Sequence, residues 1–114
     1  MKNNRVYFEH MLGAINDIES FTAGMDFKDF GADLKTQMAA VRELEIIGEA
    51  SNRVSKEIQE EFKETPWKNM LGMRNIIVHD YMAVDLDVVW NVLKNDLSTL
   101  KQALQNSLER PDLE

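Results

Sequence analysis

Cysteine is absent from this 114-residue chain, which excludes disulfides and thiolate metal sites and leaves packing to hold the fold, as is normal in a reducing cytosol. Proline occurs twice and glycine five times, with no low-complexity segment and no internal repeat, so the chain reads as helices joined by short turns. Long apolar runs are missing too. No stretch approaches the roughly 20 residues needed to span a bilayer, and Met1 to Tyr7 lacks the apolar core of a signal peptide, so a soluble, cytoplasmic protein with no membrane contact is expected. Histidine is confined to His10 and His79, whose separation suggests no shared helix face; neither a metal site nor a cofactor is expected. Positive charge is the scarcer sign, 13 basic against 20 acidic side chains, for a formal net charge of −7. That balance repels nucleic acid at long range and argues against coating DNA or RNA. Any RNA contact must be local, and no DNA partner is expected. An acidic surface could attract a basic protein, although it is also how small domains stay soluble.

What is present is enough for one core. A hydrophobic content of 44% in this length supports a single domain over residues 1–114. From Val6 to Phe21, Tyr7, Met11, Ala14, Ile15 and Ile18 recur at helical spacing and mark a first amphipathic helix. Around Thr22 to Gly31 the pattern breaks; the string from Phe21 to Gly31, with two glycines and three aromatics, predicts a loop with a short helical turn packed back on the core. A second long helix is expected from an Asp33 N-cap to about Ser51, with Leu34, Met38, Val41, Leu44, Ile47 and Ala50 on its inner face. A short helix follows near Ser55 to Phe62. Thr65-Pro66 then reads as a cap and a proline at the first position of a helix running to about His79. Asp85 caps a last helix to about Glu109, striped by Leu86, Val89, Leu93, Leu97, Leu100 and Leu104. The fold class is therefore all-α: an antiparallel up-and-down bundle of four main helices plus a short one.

The segment from Met70 to His79 is apolar on nearly every side, the pattern of a helix buried in a core or an interface, yet Arg74, Asn75 and His79 interrupt it. At about 100° per residue, Asn75 and His79 stack one turn apart and Arg74 lies beside them. A buried guanidinium without a partner costs several kcal/mol, so these groups face a partner or a solvent-reached cleft. One account is structural: Arg74 pairs with Glu45 or Glu49 of the second long helix, and His79 caps the carbonyls at the end of its own helix. The other is a site. The residues alone do not choose between them, and no hydroxyl or thiol nucleophile or glycine-rich phosphate loop offers a competing chemistry.

The string Arg74-Asn75-Ile76-Ile77-Val78-His79-Asp80-Tyr81 resembles the signature of HEPN domains, in the form arginine, four residues, histidine, one residue, tyrosine that is typical of HepT-like toxins. Leu44-Glu45-Ile46-Ile47-Gly48-Glu49-Ala50, Pro66-Trp67, and Val84-Asp85 before Val89-Trp90 look like that family as well, so the resemblance covers most of the chain. It implies a homodimeric HEPN-like bundle whose two signatures face each other across a cleft and cut single-stranded RNA without metal. Arg74 and His79 would be the catalytic pair, with Asn75 supporting. It also implies a cognate antitoxin, a minimal nucleotidyltransferase of the MntA type, which attaches AMP to the signature tyrosine, here Tyr81. A non-catalytic helical subunit that pairs with a nucleotidyltransferase and positions its substrate is the alternative expectation.

Overall fold

The computed structural model describes residues 3–78 and 85–113, the backbone alone over 74–78. Helix α1 spans Asn4–Thr22, α2 Phe27–Gly31, α3 Leu34–Arg53, α4 Lys56–Glu61 and α5 Trp67–Val78. A last continuous helical run comprises α6, Leu86–Asn91, a π-helical turn over Val92–Asp96, and α7, Leu97–Leu108. No strand occurs among the described residues, and none of the helices is long and apolar enough to cross a membrane.

Side-chain caps set where the helices begin. The carboxylate of Asp33 accepts from the Thr36 backbone N–H at 3.1 Å and from its hydroxyl at 2.7 Å, which holds that carboxyl below the usual carboxylate range. Asp85 caps α6 in the same way, accepting from the N–H groups of Asp87 and Val88. Within the glycine-containing break, Asp26 and Asp29 form a reciprocal capping box that starts α2, while Gly24 takes the left-handed conformation (φ 76°) that a side chain would resist. Helix α5 begins one residue later than its sequence pattern suggests: the Pro66 carbonyl accepts from the Met70 N–H at 3.1 Å and opens the ladder.

Helix α3 lies between α1 and α5, and α7 closes the bundle against α1. Neighbours are antiparallel. Tyr7 near the start of α1 shares a groove with Arg53 at the end of α3, and Thr65 just before α5 shares one with Asn106 and Ser107 near the end of α7. One core joins Phe8, Met11, Ile15 and Ile18 of α1, Leu44, Ile47 and Ala50 of α3, Met70 and Met73 of α5, and Val89, Leu93, Leu97, Leu100 and Leu104 of the last run. Phe30 brings α2 onto this core and stacks at 5.1 Å from Trp90, with Phe27 on the same indole.

Two features depart from the sequence pattern. Leu34 and Met38, assigned to the inner face of α3, are 67% and 65% exposed: α2 and the short connection cover the beginning of α3 on another side, so only its second half is enclosed by neighbours. The last helix is not uniform. Val89, Leu93 and Leu97 recur every four residues and would drift about 40° per step around a regular helix; one wider turn returns them to a single stripe.

The ends of the chain are clamped together. Arg5 of α1 donates to three carbonyls at and beyond the end of α7, those of Leu108, Arg110 and Leu113, at 3.0, 2.6 and 3.1 Å. Helix C-termini leave their last carbonyls without internal partners, and one guanidinium here satisfies several at once. Arg110 in turn bonds Glu61 and Asp112 and lies over the Phe62 ring, tying α4 to the same corner. Replacing Arg5 by Met keeps the apolar stem and deletes the donors. The variant should lose about 1.5–3 kcal/mol in denaturant unfolding, and amide protons of 109–113 should exchange much faster than in the parent.

Candidate active site

The position of the signature helix follows from its first turns. Trp67 donates its indole N–H to the Phe62 carbonyl at 3.0 Å and sets its ring edge-on to Phe8 of α1, with centroids 5.6 Å apart. Met70 and Met73 are buried, and α3 packs along the length of α5. An indole with one hydrogen-bonded edge and two buried methionines fix both the axis and the rotation of α5. Position 74 therefore stands one turn beyond Met70, and position 75 one turn beyond the half-buried Leu71. The side chains of Arg74 and Asn75, and all of His79 and Tyr81, lie outside the described residues.

Both counter-charges that the sequence offers Arg74 lie on α3. Glu45, one of its two candidate counter-charges, is engaged by Arg42 one turn back on α3 at 2.8 Å. Glu49, the other, lines an open groove of about 260 Å³ between α1 and α3 together with Tyr7, His10, Arg42, Ile46, Ala50 and Arg53. On the other flank of α5, a cleft of about 140 Å³ runs along the π-helical turn, walled by Asn69, Asn95, Asp96 and Thr99 over Met70 and Met73. Its lining offers amide and hydroxyl groups and a single carboxylate, a surface suited to hydrogen bonding rather than to holding a cation. No three His, Asp or Glu side chains converge as metal ligands among the described residues.

One strongly perturbed carboxyl escapes the sequence reading. Glu43 of α3 is buried to 9% exposure against α1, and one of its carboxyl oxygens has no hydrogen-bond partner. Burial pushes it up to about 7, and the hydrogen bond to Asp17 and that residue's negative charge act in the same direction. The available signal was its register, between Ala40, Leu44 and Ile47 on the buried stripe. It faces Asp17 of α1, so this acid latches two structural helices.

The fold and its signature helix have counterparts in known proteins. The model of a family described as ribonuclease HepT-like matches residues 11–107, from the first turns of α1 to the last turn of α7. A protein of Thermococcus cleftensis named "Probable ribonuclease HepT" is 41% identical over 88% of this chain and 91% of its own length. Proteins named as candidate RNases in Methanocaldococcus jannaschii and Caldanaerobacter subterraneus are each 34% identical, over 89% and 96% of this chain and 93% and 98% of their own. No solved structure matches.

The Glu43 carboxyl sets a pH dependence of stability. Folded, it keeps its proton up to about pH 7, whereas an unfolded chain releases it near the ordinary value of about 4.3. The folded state thus binds the extra proton between those limits, and its stability is highest below them, falls as pH rises through the window and levels off above about 7. Glu43→Gln should abolish that decline, matching the parent at pH 4 and exceeding it by about 1–3 kcal/mol at pH 8 in urea unfolding.

Proposed function

Because this chain belongs to the HepT-like ribonuclease family, we propose that it is an endoribonuclease that cuts single-stranded RNA as a cytoplasmic homodimer. The observation that carries this reading is the family match over residues 11–107, which contains the whole of α5 and the pattern Arg74-x4-His79-x-Tyr81. Two copies of α5 would meet across a groove, so that each signature is covered by its symmetry mate. Exposed Leu34 and Met38, one turn apart on α3, supply apolar surface that an association of this kind would cover.

The chemistry needs no metal in this proposal. His79 takes the proton of a ribose 2′-OH or gives one to the leaving 5′-oxygen, roles that suit an imidazole because its unperturbed form titrates near neutrality. The 2′-oxygen attacks phosphorus as the P–O5′ bond breaks, leaving a 2′,3′-cyclic phosphate and a free 5′-hydroxyl. Arg74 stabilises the charge that accumulates on the phosphorane-like transition state through its forked donors. Asn75 orients His79 or holds a phosphate oxygen. The stretch from Thr65 to Val78 carries Lys68 and Arg74 and no carboxylate, a locally cationic segment in a chain of net charge −7.

The same site explains a role as the toxin of a toxin-antitoxin pair. AMP attached to Tyr81 by a cognate nucleotidyltransferase of the MntA type would place a nucleotide and a negative charge two residues from His79, excluding RNA by occupancy and repulsion. No change of conformation is required.

Two measurements decide these roles. His79→Ala should reduce cleavage of single-stranded RNA at least 100-fold with a chelator present, in the range of lost general acid-base catalysis, while the far-UV spectrum stays helical; unchanged cleavage removes the mechanism, whereas a parent protein that leaves RNA intact while binding its nucleotidyltransferase is the non-catalytic partner subunit. Incubation with the cognate nucleotidyltransferase and ATP should add whole AMP masses to the parent and none to Tyr81→Phe. Addition to both proteins would move the modified residue elsewhere.

A further inference from the structure

The groove between α1 and α3 lies outside the signature, and its lining is unusual for this chain. Arg42, Ile46, Glu49 and Arg53 recur at four, three and four residues, a single stripe along α3, and face Tyr7 and His10 one turn apart on α1. Two guanidiniums against one carboxylate make the lining locally cationic on a protein of net charge −7. Arg53 is exposed and makes no hydrogen bond or ion pair with any described residue. Arg42 is held only by Glu45 one turn away, an exposed ion pair of the kind that exchanges readily for another anion. The Tyr7 ring meets the His10 ring at 6.4 Å and 73°, its inner edge packed on the core and its outer edge in the groove.

Cations paired with flat, half-sheltered rings are the recognition chemistry of unpaired nucleotides: guanidiniums take phosphates, and aromatic or imidazole faces take bases. The dimensions favour a strand over a free nucleotide. Arg42 and Arg53 stand about 16 Å apart along the helix axis, beyond the reach of one nucleotide, while the volume of about 260 Å³ is below that of a whole-ligand pocket. Position favours it too. The groove is lined by α3, the same helix against which the signature-bearing α5 packs.

We propose that this α1/α3 groove is an RNA-strand subsite, in which Arg42 and Arg53 bind backbone phosphates and Tyr7 with His10 shelters a base, holding substrate outside the cleavage point. The proposal rests on the ribonuclease reading for its substrate class. It gives an acidic protein the local contact through which RNA can be held despite long-range repulsion.

The full chain carrying His79→Ala binds without cutting, and its affinity for a fluorescent 15-nucleotide single-stranded RNA can be followed by anisotropy against salt. Adding Arg42→Ala and Arg53→Ala should weaken binding about ten-fold and lower the slope of log affinity against log salt by about 1.4, at roughly 0.7 for each phosphate no longer neutralised. The paired lysine replacements should keep the slope. Tyr7→Leu should weaken binding with the slope unchanged, and Tyr7→Phe should bind as the parent does. With His79 restored, the double alanine variant should raise KM for the 15-mer and leave cleavage of a dinucleotide untouched. Equal affinity and slope in the double alanine variant and its parent, with melting temperatures matched, would overturn the subsite. Displacement of the RNA by polyglutamate as effectively as by unlabelled RNA would overturn it in favour of an acidic peptide. If the parent cleaves neither substrate, the ribonuclease reading falls, and the binding isotherms decide the groove on their own.

Discussion

The second half of α3 is enclosed on two flanks, and that enclosure governs everything else in the molecule. Leu44 and Ile47 are fully buried between α1 and α5, with Ala40 and Ala50 as small residues that let the helix axes approach. Each large side chain removed from water contributes about 1.5–3 kcal/mol. Because the three helices share this one apolar interior, the orientation of α5 is decided by how α3 sits. The signature helix is oriented by two buried methionines and one indole, so its placement is separated from the surface charges among the described residues.

That separation also explains the distribution of charge. Acidic residues populate the outer faces and the helix starts, where Asp26, Asp33 and Asp85 satisfy first-turn N–H groups. Cations are few, and three of them hold particular junctions. Arg5 gathers the carbonyls at the end of α7, Arg110 binds α4 to the same corner, and Lys101 of α7 pairs with Glu19 of α1 at 2.7 Å. Against that background the unengaged Arg53 and the lightly held Arg42 stand out. Glu43 is the counter-example, an acid placed inside. It is tolerated because it keeps its proton at the neutral and acidic side of its range and shares a hydrogen bond with Asp17.

The parts of the fold visible in the sequence are those encoded by local rules. Asp33 and Asp85 announce their helices because capping needs only a few consecutive residues, and the stripe from Val89 to Leu104 is periodic enough to read directly. Leu34 and Met38 were misplaced for the converse reason: apolar periodicity says that one face is greasy, and only the neighbours present at that level of the bundle decide whether it is covered. The π-helical turn is hinted at by four-residue spacing but needs the partner helices to fix the register. Long-range contacts such as Arg5 with Leu113, or Ser55 bonding the side chain of Asn4, leave no local trace. For the site, the polar interruption of an apolar helix was legible at Arg74, Asn75 and His79. The groove of Tyr7, His10, Arg42 and Arg53 was not, because it is assembled by antiparallel docking of residues more than thirty positions apart.

The guanidinium that joins the two ends has a temporal side. Arg5 leaves the ribosome more than a hundred residues ahead of the carbonyls it binds, those of Leu108, Arg110 and Leu113. A contact closed over 103 to 108 positions cannot form during elongation, and at about 5–20 residues per second the start of α1 waits several seconds for its partner. The bundle therefore becomes complete only once residues 108–113 have been made, and a chain cut short in α7 lacks the closing contact, leaving the start of α1 without its latch.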